Sequence, residues 1–158
     1  MTLEEISARF LSGARGKAFD KAVKSDARVI NFYSLAGSAA AVALSGIQDK
    51  VPVLVIADSL DDAGYLYHDL TKISGEESCA FFPSAYKRDI KYGQIDPPSQ
   101  ILRTEALNRW HDDSKLRFVV TYPEAIAEKV ASRKAIGDHT LRLRKDKTTD
   151  LPETIKWL

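Results

Sequence analysis

One cysteine, one methionine and six prolines in 158 residues set the first limits on this chain. A single thiol, Cys79, excludes an intrachain disulfide and a thiolate zinc cluster, since both need further sulfur ligands. Charge of one sign is scarce as well. The 23 Lys and Arg against 22 Asp and Glu leave a formal net charge of +1, so no bulk field draws the chain to nucleic acid, and any basic surface is local. Long apolar runs are absent. The longest, from about Ala39 to Leu44, falls far short of the ~20 residues that cross a bilayer. Met1–Ile6 has neither the basic stretch nor the apolar stretch of a secretory leader. A cytoplasmic protein with no membrane partner is expected. There is no repeat and no low-complexity tract. What is present is a 44% hydrophobic, 28% charged chain, enough for one domain with a real core, or one domain plus part of another.

Hydrophobic periodicity predicts strands alternating with helices. Strands are expected at Arg28–Tyr33, Val53–Ala57, Cys79–Phe82 and Arg117–Tyr122. Two of these contain continuous apolar runs, as in strands buried on both faces. Helices are expected at Ser38–Ile47, at Ser59–Ile73 with a stripe of Leu60, Ala63, Tyr67, Leu70 and Ile73, and at Ser99–His111 with Ile101, Leu102, Leu107 and Trp110. Pro123 suits the first turn of another, running to about Val130. Thr2–Glu5 matches a capping box for a helix reaching Leu11, which Gly13 and Gly16 break before a short helix over Lys17–Val23. The alternation argues for a parallel α/β sheet. Near Gly137 the pattern changes. His139–Arg144 alternates as a half-exposed strand, and Asp150–Glu153 opens a helix with Leu151, Ile155 and Leu158 on one face. That face has no C-cap at Leu158, so the chain is expected to be an N-terminal piece of a longer protein.

Val29–Leu44 has the layout of a phosphate-binding loop: strand, glycine turn, small-residue helix. A working loop follows G-x-x-x-x-G-K-[ST], in which backbone N–H groups close on phosphates, the lysine neutralises them and the hydroxyl holds Mg²⁺. Here the four key positions are Ser34, Ala39, Ala40 and Ala41. Only Gly37 and Ser38 keep the look of the turn. A methyl group neither offsets phosphate charge nor ligates a metal. A helix N-terminus still offers an anion free N–H groups, but the preferred reading is an inert turn with no catalytic residue and no bound cofactor.

The order and spacing of several segments resemble the start of the bacterial transcription-repair coupling factors. These are the degenerate loop at Val29–Leu44, the strand and helix over Val53–Leu70, and the aromatic-proline turn Phe81–Pro83. The proline loop and helix of Asp96–Leu107 and the strand, proline and helix of Arg117–Ile126 complete the series. That family's N-terminal module is similar to excinuclease B, so the resemblance implies a three-layer parallel sheet of the P-loop NTPase and helicase type with an empty nucleotide site. It implies that residues 1–132 are the first segment of a split helicase-like domain. Residues 137–158 are then the start of an inserted α/β domain that contacts excinuclease A. RNA polymerase, duplex DNA, and the ATP and Mg used by motor domains belong to later parts of such a protein. The implied role is transcription-coupled nucleotide excision repair of DNA damage, with this piece a non-catalytic scaffold that packs against distant domains and restrains the motor. Later strands of the split domain complete the sheet in that family. Without them, self-association is expected, or a path of residues 137–158 that covers the gap.

Other clusters admit two readings. Tyr86 and Tyr92 with Lys87, Arg88 and Lys91 suit base stacking and phosphate contact, but the preferred reading is a surface loop whose aromatics cover the sheet edge. Arg133, Lys134, Arg142, Arg144, Lys145 and Lys147 form the most basic zone. A partner or nucleic-acid contact and a guarded strand edge stand equal there. Asp58, Asp61 and Asp62 fit the capped start of a helix better than a ligand site. His68, His111 and His139 have no metal-ligand spacing, and Cys79 reads as core. An active nucleotide-binding α/β enzyme and a DNA-binding module are the rival functions.

Overall fold

The computed structural model describes residues 3–47, 52–86, 94–138 and 155. Helices α1 (Leu3–Ser12) and α2 (Ala14–Val23) open the chain. The break between them falls only at Gly13; Gly16, expected to break the helix too, lies inside α2. Its role is closeness: a Cβ on Gly16 would sit 2.4 Å from the Leu11 carbonyl oxygen. Without that carbon the two helices meet backbone to backbone. Thr2 of the expected capping box lies outside the described residues.

Strands β1 (Val53–Ile56), β2 (Cys79–Phe81) and β3 (Phe118–Thr121) form a parallel sheet in the order β1-β3-β2. Val53 and Cys79 both register with Phe118. Helix α3 (Ala39–Ser45) precedes β1, α4 (Leu60–Ser74) follows it, α5 (Pro97–Asp112) links β2 to β3, and α6 (Pro123–Ala127) follows β3. With α7 (Arg133–Asp138), the described residues make an α/β arrangement of three parallel strands and seven helices. None of these helices is long and apolar enough to cross a membrane. By contacts the chain divides into two compact units, Met1–Glu128 and Lys129–Leu158.

Register and period two assign the faces. Val53, Val55, Cys79, Phe81, Phe118 and Val120 share one face, and α4 lies on it, with the Tyr67 ring 5.3 Å from that of Phe81. Leu54, Ile56, Ala80, Val119 and Thr121 share the other. Phe82 continues that face one residue past β2, and the α5 residue Arg103 stacks on its ring. Phe118, Val120, Leu70, Cys79 and Thr121 are fully buried between these layers. The α4 stripe is as the sequence predicts: Ala63 and Leu70 are buried, and Leu60, Tyr67 and Ile73 pack against the core. The α5 stripe holds only in part: Leu107 packs against the core, while Leu102 and Trp110 are exposed. Ile101 is 68% exposed, and the residues buried there are Arg103 and Ala106.

The strand expected at Arg28–Tyr33 does not form. The segment takes no regular structure and pairs with no strand among the described residues, with Val29 74% and Tyr33 79% exposed. β propensity supplies a shape but not a ladder, and no neighbouring strand among the described residues takes its N–H and C=O groups. Beyond β3, α6 ends at Ala127 rather than near Val130, and α7 was not expected. Its start is capped by Ser132, whose Oγ accepts the Ala135 N–H at 3.2 Å. The strand expected at His139–Arg144 lies outside the described residues, and Ile155 is helical and 62% exposed.

Candidate functional site

The glycine turn lies between a segment with no strand and α3. Ser34 has φ +61 and Gly37 φ +53, both left-handed, which is unusual for serine and ordinary for glycine. The Ala39 N–H closes the turn on the Ala36 carbonyl at 3.2 Å. Ser38 stands at the N-cap of α3 without a side-chain cap bond. Ala39 and Ala40 are half-buried, and Ala41, where the loop pattern wants a hydroxyl, is 0% exposed. Of the three, Ala41 joins the buried core. Leu44 and Val42 continue the packing: Leu44 joins the main core and Val42 is 8% exposed.

At the carboxyl end of β1, Asp58, Asp61 and Asp62 are exposed. Ser59 caps α4: its Oγ accepts the Asp62 N–H at 3.1 Å and donates to Asp62 Oδ2 at 2.6 Å. Asp61 and Asp62 sit in the first turn, where the helix dipole favours negative charge. This cluster is a helix start.

The most connected polar group at the carboxyl end of the sheet was not singled out by the sequence. Arg103, 6% exposed, reaches from α5 to the loop after β2 and to α6. Its Nη1 donates to the Pro83 carbonyl at 2.6 Å and the Ala125 carbonyl at 3.1 Å, and lies 3.2 Å from Glu128 Oε2. Its guanidinium sits 4.1 Å over the Phe82 ring. Glu128 also accepts from Ser84 Oγ and, at 2.9 Å, from the Ala85 N–H, while the Tyr122 hydroxyl accepts the Ser84 N–H at 2.8 Å. Burial pulls the Arg103 pKa down and Glu128 opposes that shift. The cluster ties the loop after β2 to α5 and to the end of α6. It holds a cation and a carboxylate already joined to each other. Helical spacing was the available signal, since Arg103 shares a face with Ala106 and Leu107.

A cleft of about 360 Å³ opens between α4 and α5 beside Cys79, lined also by His68, Lys72 and Glu105. Arg109 on its wall is occupied: it pairs with Asp113 at 3.1 Å and donates to the Cys79 carbonyl at 2.8 Å. The Cys79 thiol is 1% exposed, and burial pushes its pKa up, away from a reactive thiolate. His68 and His111 are exposed and far apart in the chain, and no cluster of three metal-ligating side chains occurs among the described residues.

The remaining sequence candidates are only partly placed. Tyr86 is 48% exposed and bridges to Ile95, while Lys87, Arg88, Lys91 and Tyr92 lie outside the described residues. Arg133 opens α7 and Lys134 is exposed on it; Arg142, Arg144, Lys145, Lys147 and His139 lie outside the described residues. Of the basic residues of these two stretches, only Arg133 and Lys134 fall among the described residues. No family model, curated protein or solved structure matches the chain.

Proposed function

We propose that this chain is a non-catalytic α/β module of the transcription-repair coupling type, built on a P-loop-like frame that has lost its nucleotide. The reading rests on the order of the resembling segments and, above all, on the alanines of the glycine turn. A triphosphate site needs a lysine and a hydroxyl directed at the ligand; the chain has Ala40 half-buried and Ala41 wholly buried there. The module's work is then architectural. It presents surface to other domains and to excinuclease A, and it restrains a motor elsewhere in the same protein by masking an interface. Release is a shift between closed and open populations.

Calorimetric titration with ATP-Mg²⁺ and with ADP tests the nucleotide half of this reading. No saturable binding is expected, and micromolar affinity would overturn it. The coding sequence downstream of Leu158 tests the identity. A polymerase-binding domain followed by two motor domains with intact nucleotide loops is expected, and any other continuation counts against it.

A further inference from the structure

We infer that Ser84, Ala85 and Arg103 form a carboxylate receptor whose resident occupant is Glu128, and that this occupancy is a latch that stops α6 at Ala127. The inference is independent of the nucleotide question.

Nothing local stops α6. Between Pro123 and Gly137 there is no glycine or proline, and Ala127, Glu128 and Lys129 are good helix formers. Yet the helix ends at Ala127, and Glu128 turns to extended backbone at φ −79 and ψ 144. Two contacts from distant segments act at that point. Arg103 Nη1 donates to the Ala125 carbonyl at 3.1 Å, the acceptor that the Lys129 N–H would take if the helix went on. A cation there also suits the negative end of the helix dipole. The second contact is made by the Glu128 carboxylate. Its Oε1 accepts from Ser84 Oγ, and its Oε2 accepts from the Ala85 N–H at 2.9 Å and lies 3.2 Å from Arg103 Nη1.

This donor set fits a carboxylate by its own chemistry. A hydroxyl, a backbone N–H and a guanidinium converge on two oxygens, and charge-assisted contacts of this kind are the strong ones. The donors come from α5 and the loop after β2, whereas the occupant comes from the end of α6. Other partners hold the donors in place without Glu128. The Tyr122 hydroxyl accepts the Ser84 N–H at 2.8 Å, and the Pro83 carbonyl and the Phe82 ring fix Arg103. The receptor also offers more than Glu128 uses: the buried Nη2 of Arg103 has no hydrogen-bond partner among the described residues. By contacts the first compact unit ends at Glu128, so the latch closes on the last residue of that unit. Residues 128–130 then have two states, extended with the receptor filled by Glu128 and helical to Val130 with Glu128 withdrawn.

Glu128→Ala empties the receptor. It removes one methylene and a carboxylate, the size and shape of acetate, so acetate is the probe. In the variant, helical Cα secondary shifts are expected by NMR over residues 128–130. A ligand that binds the folded chain stabilises it. Acetate, against chloride at matched ionic strength, is therefore expected to raise the variant's thermal midpoint by a few degrees and to leave that of the native chain unmoved. An acetate effect equal in the two chains overturns the receptor. Native shifts at 128–130 in a variant folded by circular dichroism overturn the latch. Should Glu128→Ala not fold, Ser84→Ala carries the test, because it deletes one donor and leaves the sequence of α6 untouched. A partial move of residues 128–130 toward helical shifts is expected there, and unchanged shifts overturn the latch as well.

Discussion

At the scale of single residues, chemistry is decided by what a position faces as much as by what occupies it. Ala41 stands where a phosphate-binding loop carries a hydroxyl, and it is wholly enclosed. Restoring the motif by Ala41→Ser therefore does not restore a site. It buries a hydroxyl among apolar neighbours, at a cost of about 1–3 kcal/mol. Urea denaturation is expected to show that loss with no gain in ATP binding by calorimetry. The same contrast holds at Cys79. Its apolar sequence context pointed to core, and the fold closes it under α4 with its thiol pKa raised. The aspartates after β1 were legible as a cap from their spacing alone, because Ser59 to Asp62 is a local contact that needs no tertiary partner.

At the scale of elements, positions were legible and partnerships were not. α4, α5 and all three strands fall within a few residues of their expected places, α4 and the strands by hydrophobic pattern and helix starts by local signals such as Ser59 and Pro123. Gly16 shows the limit. Read along the chain it is a helix breaker; in the fold it is the point where α1 and α2 touch. Gly16→Ala raises helix propensity by about 1 kcal/mol. Even so, the added methyl would meet the Leu11 backbone, and overpacking of that kind costs about 1–3 kcal/mol. A lowered midpoint in thermal unfolding is expected, and a raised one would show that the helices separate freely. α5 makes the same point from its burial. Large apolar side chains suggested its inner face, yet Arg103 and Ala106 are the buried pair, because the sheet beneath offers an aromatic ring and carbonyl oxygens.

At the scale of the whole molecule, the Arg103–Glu128 pair joins segments 20 to 44 residues apart in sequence. Removing one member leaves the other uncompensated. Glu128→Ala strands a buried guanidinium and is expected to cost about 3 kcal/mol in urea denaturation. Adding Arg103→Met removes the stranded charge and is expected to recover part of that loss, a non-additivity that marks direct coupling. Strict additivity would show that the pair is incidental. The exposed side of β1 belongs to this scale too. Leu54 and Ile56 share a face with the buried Val119 and Thr121, but among the described strands β3 is central and β1 is terminal.

Amino-acid order alone determined the alternation of strands and helices, the parallel class of the sheet, the Ser59 cap, and the methyl groups at the glycine turn. Each of these depends on neighbours within a few positions or on a simple period. Only the tertiary structure decided that Val29–Tyr33 finds no ladder, that Gly16 is a contact, that Arg103 and Glu128 meet, and that β1 lies at an edge. Those outcomes depend on which distant segments come together, and hydrogen-bond partners, burial of charge and close backbone approach exist only once they have.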